Sequence, residues 1–161
     1  NILHMTIAPA EVSEDVAKEA HGLALRLAQG FELAGILAIE LFVTKDERVI
    51  VNELAPRPHN SGHYTIEACS FDQFDAHIRG IAGWPLEQPE LLKPAVMVNV
   101  LGQHVAPTRA LIAEHPEWNM HDYCKAEVRH DRKMGHITVL TDDTRQTVAD
   151  LERTGCWDDL K

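Results

Sequence analysis

Two carboxylates and one polar loop carry most of the chemistry that this sequence could perform. Glu40 lies in an apolar segment, Glu53 lies near the end of a second one, and the loop at residues 56–63 follows directly. Carboxylate oxygens are ligands that Mg²⁺ prefers, with waters and substrate phosphates as its other ligands. The loop combines arginine, histidine, asparagine and serine, which suits anion binding. A loop whose polar groups are satisfied internally would have the same composition.

The two apolar segments are predicted to form a β-hairpin. Residues 35–43 and 49–54 are rich in β-branched and aromatic types, and the polar residues 45–48 separate them. We expect a two-residue turn at Asp46 and Glu47, although this pair is not a favoured one for tight turns.

Such a turn pairs Val43 with Ile50 and Glu40 with Glu53. Directly opposed residues share a face, with Cβ atoms roughly 4.5–5.5 Å apart. In semi-buried surroundings two carboxylates repel each other unless a cation bridges them or one is protonated. A slip of one residue would separate the acids and leave one solvated. The alternation places Asn52 on the face opposite Glu53.

Arg57 is the most constrained cation of the loop. Pro56 and Pro58 fix the backbone on both sides of it, and its guanidinium can bind a phosphate or carboxylate in a fixed geometry. Asn60 offers amide donors. A helix beginning near Thr65 would direct its N-terminal amides towards the same anion.

His59 and His63 leave a second hypothesis open, because H-x-x-x-H spacing also occurs in zinc sites. Pro58 and Gly62 argue against the helix that would align the two rings, and the sequence offers no evident third ligand.

A run of cations from Lys125 to Lys133 contrasts with the overall charge. The 161 residues carry a formal net charge of −10, so a general nucleic-acid surface is not expected. The run includes Arg129 and Arg132. Either a solvated loop or a specific anion site would account for it.

Composition indicates an ordinary globular protein, with 45% hydrophobic and 25% charged residues. No stretch approaches the roughly 20 apolar residues of a membrane span, and we expect no membrane partner. Cys69, Cys124 and Cys156 form no C-x-x-C pair, which favours a reducing, cytoplasmic setting. The strand-like start without an initiator methionine suggests a piece of a longer chain.

Periodicity along the chain predicts an α+β fold. Ser13 is a predicted N-cap, and Ser70 with Gln73 a predicted capping box. The polar connector at residues 87–93 is the expected domain boundary. The remaining predicted elements are a strand at 3–8, a helix at 13–30, a helix with a buried stripe of Phe71, Phe74, Ile78 and Ile81, a strand at 95–101, a helix at 108–115, a loop rich in His and Trp, a strand at 136–140 and a helix at 144–154.

These motifs resemble those of the carboxyaminoimidazole ribonucleotide synthases, ATP-grasp enzymes of purine biosynthesis. The similarity lies in residues 35–43, 51–63, 70–79, 83–86 and 125–136. It implies that residues 1–90 are the second half of an ATP-grasp domain, an antiparallel sheet with helices. Residues 91–161 would be a small C-terminal α/β domain.

The resemblance implies an ATP-dependent ligase that carboxylates aminoimidazole ribonucleotide with bicarbonate through carboxyphosphate. The family is also described as the ATPase subunit of a carboxylase, which adds lyase as a possible class. ATP and Mg²⁺ are the implied cofactors, and the whole enzyme is expected to be a homodimer. The implied roles are metal binding for Glu40 and Glu53, nucleotide binding for these two and Asn52, catalysis for Arg57, His59 and Asn60, and substrate binding for Asn60, His63, Lys125 and Arg132.

The front of the family pattern is missing from this sequence, including the lysines that grip the nucleotide phosphates. We therefore expect the 161-residue chain alone not to turn over ATP. The alternative is a non-catalytic module of the same ancestry that keeps a metal and phosphate site.

Overall fold

A computed structural model describes residues 2–158. The elements in chain order are β1 (Met5–Ala8), α1 (Glu14–Gly30), β2 (Ala38–Val43), β3 (Val49–Ala55), α2 (Thr65–Ala68), α3 (Gln73–Ala82), β4 (Ala95–Leu101), α4 (Val105–Leu111), β5 (Asn119–Asp122), β6 (Lys133–Leu140) and α5 (Thr144–Arg153). Helices and antiparallel strand pairs together confirm the α+β class.

The chain divides into two compact units. The first, called here the hairpin unit, comprises residues 10–66 and 71–90, and the second, the sheet unit, comprises residues 2–9, 67–70 and 91–158. By spatial contacts, therefore, β1 groups with the second half of the chain. The domain boundary near residue 90 stays a prediction.

The hairpin unit contains α1, the β2–β3 hairpin and α3. The Ser13 side chain accepts the Val16 N–H at 3.4 Å, so the predicted N-cap of α1 is confirmed. The Ile36 N–H donates to Nδ1 of His77, a residue of α3, at 3.1 Å. This bond ties the helix to the segment before β2.

The predicted capping box at the start of α3 is wrong. Asp72 is the N-cap, and its carboxylate accepts the N–H groups of Phe74 and Asp75 at 2.7 and 2.9 Å. The side chain of Gln73 turns instead towards the loop after β3. Asp72 directly precedes the first helical residue, so its carboxylate can reach the first free amides, whereas Ser70 lies two residues further away.

The predicted buried stripe of α3 is also wrong. Phe74 is 41% exposed, Ile78 is 61% exposed and Ile81 is 58% exposed, whereas Gln73 is buried. Helical periodicity identifies an apolar face but does not specify whether other residues of the chain cover it.

The sheet unit contains an antiparallel sheet with strand order β1-β4-β6-β5. All seven residues of β4 are buried, as predicted. β5 lies in the segment expected to be a loop; its short sequence, Asn-Met-His-Asp, has no apolar alternation. α4 begins at Val105, three residues before the predicted start, and a 3₁₀ turn at Ile112–Glu114 follows it.

Within residues 2–158, none of the helices has both the length and the apolar character that crossing a membrane requires.

Candidate functional site

The turn of the β2–β3 hairpin differs from the predicted one. The Thr44 N–H donates to the Arg48 carbonyl at 3.0 Å, which closes a three-residue loop. Glu47, the third loop residue, has φ of 58°, as expected where a type I turn ends in a left-handed residue. Val43 therefore pairs with Val49, and the predicted pairing with Ile50 is wrong.

A bulge restores the register at the acids. Leu41 pairs with Val51, and the next pair is Glu40 with Glu53, so Asn52 is the extra residue. The predicted pairing of the two acids is thus confirmed. Two deviations from the expected hairpin, a longer loop and a bulge, cancel each other.

Asn52 reaches the Glu40 carboxylate, so its predicted position on the opposite face is wrong. Its amide Nδ2 donates to Oε2 of Glu40 at 3.0 Å, because the bulge interrupts the alternation of side chains along β3. The hairpin therefore opposes Glu40 to Glu53 across the two strands, and the bulge brings Asn52 to the Glu40 carboxylate.

The carboxylate pair is less enclosed than predicted. The Glu40 side chain is 39% exposed, and Glu53 is exposed. Water therefore screens their repulsion, and the pair does not require a buried cation. Two accessible carboxylates on one face remain a suitable donor set for Mg²⁺, which keeps several waters of its own.

The side chain of His59, in the loop after β3, lies near the second carboxylate oxygen of Glu40. Its Nε2 lies 3.7 Å from Glu40 Oε1, and its side chain is only 14% exposed. On the other side of the ring, Nδ1 accepts the Ser61 N–H and lies 2.9 Å from the Ser61 hydroxyl. The loop thus contributes a held imidazole to the carboxylate face.

The other predicted loop residues are accessible to different degrees. Arg57 is exposed, and its Nη1 donates to the Pro58 carbonyl at 3.1 Å. Asn60 begins a 3₁₀ turn and is partly buried. The helix predicted near Thr65 is α2, which has only four residues. It is too short for the dipole that the anion-binding prediction invoked.

The zinc hypothesis for His59 and His63 finds no further ligand. Among the described residues, no three His, Cys, Asp or Glu side chains gather into a metal-binding group. His63 Nδ1 instead lies 2.8 Å from the amide nitrogen of Gln73.

Gln73 is a residue of this site whose role sequence reasoning missed, because it was assigned to a capping box. Its amide bonds to both backbone groups of His59 at 2.8 Å. The only sequence signal is a glutamine at a helix start that follows a polar loop, and this signal equally suggested a cap.

The cationic run lies in the sheet unit and is anchored. Asp131 donates its N–H to Gln103 Oε1 at 2.9 Å, and Gln103 Nε2 donates to Asp131 Oδ1 at 3.0 Å. A Cβ on Gly102 would lie 1.9 Å from the Arg129 carbonyl, so this close approach requires glycine. The run is therefore anchored at Gly102 and Gln103, while residues 126–131 are exposed to solvent.

The two predicted phosphate ligands in this run are partly buried. Lys125 Nζ donates to the Lys133 carbonyl at 2.6 Å and lies 5.5 Å from the centre of the Tyr123 ring. Arg132 Nη1 donates to the Glu127 carbonyl at 3.1 Å. Lys125 also lines a cleft together with Arg109 and Asp122.

Two family models match consecutive parts of the chain. The ATP-grasp domain matches residues 1–74, and the phosphoribosylaminoimidazole carboxylase C-terminal domain matches residues 95–150. The N5-carboxyaminoimidazole ribonucleotide synthase of Staphylococcus saprophyticus is 46% identical over 147 residues, which cover 91% of this chain and 39% of that protein. The chain matches a segment of these synthases over nearly its whole length. It spans about 40% of the length of the curated relatives that it matches.

Solved structures of the family have the same fold over this segment. N5-carboxyaminoimidazole synthetase from Staphylococcus aureus complexed with ADP is 45% identical, with a TM-score of 0.90 over 95% of this chain and 42% of that one. The Aspergillus clavatus synthase in complex with ADP and 5-aminoimidazole ribonucleotide is 33% identical, with a TM-score of 0.87 over 96% of this chain and 43% of that one. These relatives are named synthases or synthetases, and nothing supports the lyase class.

Proposed function

We propose that this chain supplies part of the nucleotide, metal and substrate sites of an ATP-dependent ligase. The ligase carboxylates aminoimidazole ribonucleotide with bicarbonate. The observation that carries the proposal is the bulged hairpin, which opposes Glu40 to Glu53 and brings Asn52 to Glu40. The names of the relatives and the ligands in their structures support the substrate assignment.

Glu40 and Glu53 would hold Mg²⁺ in this proposal. Their carboxylates fit its preference for oxygen ligands, and the ion when bound would neutralise phosphate charge during phosphoryl transfer. Asn52 holds the Glu40 carboxylate through its 3.0 Å hydrogen bond. That bond reduces the side-chain freedom that metal binding would otherwise have to remove.

The loop would position bicarbonate and the transferred phosphoryl group. Arg57 contributes a permanent positive charge on a backbone stiffened by two prolines. His59 and Asn60 contribute polar groups to catalysis, and Asn60 and His63 also contribute to substrate binding. Phosphoryl transfer depends mainly on positioning and charge neutralisation, which is what this set of residues offers.

Lys125 and Arg132 would bind the 5′-phosphate of the ribonucleotide. Each side chain donates one hydrogen bond to a backbone carbonyl, and each has further N–H donors for an anion. The anchoring of their loop lowers the entropy lost when a phosphate binds.

The setting of the whole enzyme belongs to the same proposal. A location in the cytoplasm, without a nucleic-acid or membrane partner, agrees with a chain that has a formal net charge of −10 and three free cysteines. The homodimer is proposed from the family resemblance alone. A reducing compartment keeps such cysteines as thiols.

Substitution of Glu53 tests the metal site in the complete enzyme that contains this chain. Glu53→Gln should lower kcat by about 100-fold or more, the effect of removing one group that stabilises reacting charge. The melting temperature should change little because Glu53 is exposed. Glu47→Gln, in the turn of the same hairpin, is the matched control and should leave kcat unchanged. A wild-type rate for Glu53→Gln would refute the metal role.

Substitution of Arg132 tests the phosphate site separately. Arg132→Ala should raise KM for the ribonucleotide roughly tenfold or more, as expected for loss of one charge-assisted hydrogen bond. KM for ATP should change far less. Arg129→Ala removes an exposed cation of the same run and should alter neither value. Equal effects of Arg132→Ala on both KM values would contradict the assignment.

A further inference from the structure

The side chain of Gln73 holds the polar loop at three points. It is the first residue of α3 and is only 8% exposed. Its Oε1 accepts the His59 N–H at 2.8 Å, and its Nε2 donates to the His59 carbonyl at 2.8 Å. The same Nε2 lies 2.8 Å from Nδ1 of His63. A single amide therefore joins the start of α3 to two histidines of the loop.

The backbone of His59 determines which way the Gln73 amide points. A backbone N–H can only donate and a backbone carbonyl can only accept. Oε1 must therefore face the N–H of His59 and Nε2 must face its carbonyl, which removes the usual ambiguity in amide assignment.

This orientation also decides the state of His63. The Gln73 NH₂ group has two hydrogens and no acceptor. One hydrogen bonds to the His59 carbonyl, and the other is available to His63 Nδ1. Nδ1 must then accept, so the imidazole proton resides on Nε2.

Close packing keeps the amide in place. A Cβ on Gly62 would lie 2.8 Å from Oε1 of Gln73. The Thr65 hydroxyl donates to the Gly62 carbonyl at 2.6 Å and accepts the backbone N–H of Gln73 at 3.1 Å. The loop thus closes around Gln73, and the bare Gly62 makes room for the amide.

We propose that Gln73 is a positioning residue of the candidate site, which fixes His59 through its backbone and holds His63 as the neutral Nε2–H tautomer. His63 would then carry its ring proton on Nε2, and it would not act as a base through Nδ1. Any contribution of His63 to substrate binding rests on the proposed function, whereas the tautomer does not.

Imidazole nitrogen spectra of the ¹⁵N-labelled chain test the tautomer directly. At about pH 8, above the ordinary titration range of histidine, His63 should show an unprotonated Nδ1 and a protonated Nε2. A proton on Nδ1, or a mixture of the two tautomers, would overturn the proposal without any variant. The measurement needs neither metal nor nucleotide, so its failure is distinguishable from failure of the proposed ligase function.

Gln73→Glu tests whether the amide causes this state. A carboxylate still accepts the His59 N–H but has no hydrogen to donate, so Nδ1 of His63 should become protonated. Gln88→Glu adds the same charge at an exposed position of the same unit and should change nothing. Unchanged His63 signals in a folded Gln73→Glu chain would overturn the proposal.

A double-mutant cycle covers the case in which Gln73→Glu does not fold. Gly62→Ala should displace the amide and lower the exchange protection of the His59 N–H roughly tenfold, as expected for loss of one hydrogen bond. In a Gln73→Ala background the same glycine substitution should have little further effect. Additive effects would show that Gly62 and Gln73 act independently and would contradict the proposal.

Discussion

The carboxylate of Asp122 in the sheet unit accepts hydrogen bonds from a guanidinium and from a backbone N–H. Hydrogen bonding from the Arg109 guanidinium, at 2.6 Å, and from the Cys124 N–H lowers the pKa of Asp122 below its usual value. The same aspartate lines the cleft that Lys125 also lines. Asp122 therefore stays ionised in more acidic conditions than an ordinary aspartate does.

The Arg109–Asp122 pair predicts a small pH-dependent stability. Because the folded pKa of Asp122 lies below its unfolded value of about 3.9, the stabilisation is present above that pH and is lost as pH falls through the folded pKa. Arg109→Ala should raise the pKa of Asp122 and cost about 0.2–1 kcal/mol at neutral pH, since the pair is partly exposed.

Urea unfolding near neutral pH and in acid measures that cost, and the carboxyl NMR signal of Asp122 reports its pKa. The cost should disappear in acid and in an Asp122→Asn background. An equal cost at both pH values would show that Arg109 acts through packing instead.

The β2–β3 hairpin shows how an element can deviate from its simplest form and keep its function. Its three-residue loop shifts the pairing near the turn, and the bulge at Asn52 shifts it back before the acids. The bulge also brings Asn52 to Glu40. The alternation of apolar residues predicted two strands, but neither deviation has a signal in that alternation.

Glu47 provides a test of the loop. Its φ of 58° is unfavourable for a residue with a Cβ, and glycine adopts it freely. Glu47→Gly should stabilise the hairpin by about 0.5–1 kcal/mol after the added entropy of the unfolded chain is counted. Glu47→Ala keeps the Cβ and should bring no gain. Exchange protection of the hairpin amides measures both, and equal protection of the two variants would argue against the left-handed loop.

At the scale of the whole molecule, Asn99 ties distant parts of the chain to the central strand β4. It is fully buried. Its side-chain amide donates to the Leu3 carbonyl at 2.8 Å, and its backbone carbonyl accepts the Trp157 indole N–H at 3.0 Å. Residues near both ends of the described chain therefore contact a single residue in the middle of the sheet unit.

Asn99→Leu should destabilise the sheet unit by about 1–3 kcal/mol, because the Leu3 carbonyl loses its side-chain donor in a buried environment. Urea unfolding of the wild-type and variant chains measures this cost. An unchanged free energy of unfolding would mean that the Asn99 side-chain bond does not stabilise the sheet unit.

The sequence by itself determined the features that depend on neighbouring residues. The two strands of the hairpin and the Ser13 cap were predicted correctly, since backbone geometry relates residues that are close along the chain. The opposition of Glu40 and Glu53 was also predicted, but it holds because the longer loop and the bulge cancel each other. Only the tertiary structure decided the bulge at Asn52, the exposed face of α3 and the contacts of Gln73 with the loop. These features depend on which distant groups compete for each hydrogen bond and each apolar surface. Local patterns do not encode that competition.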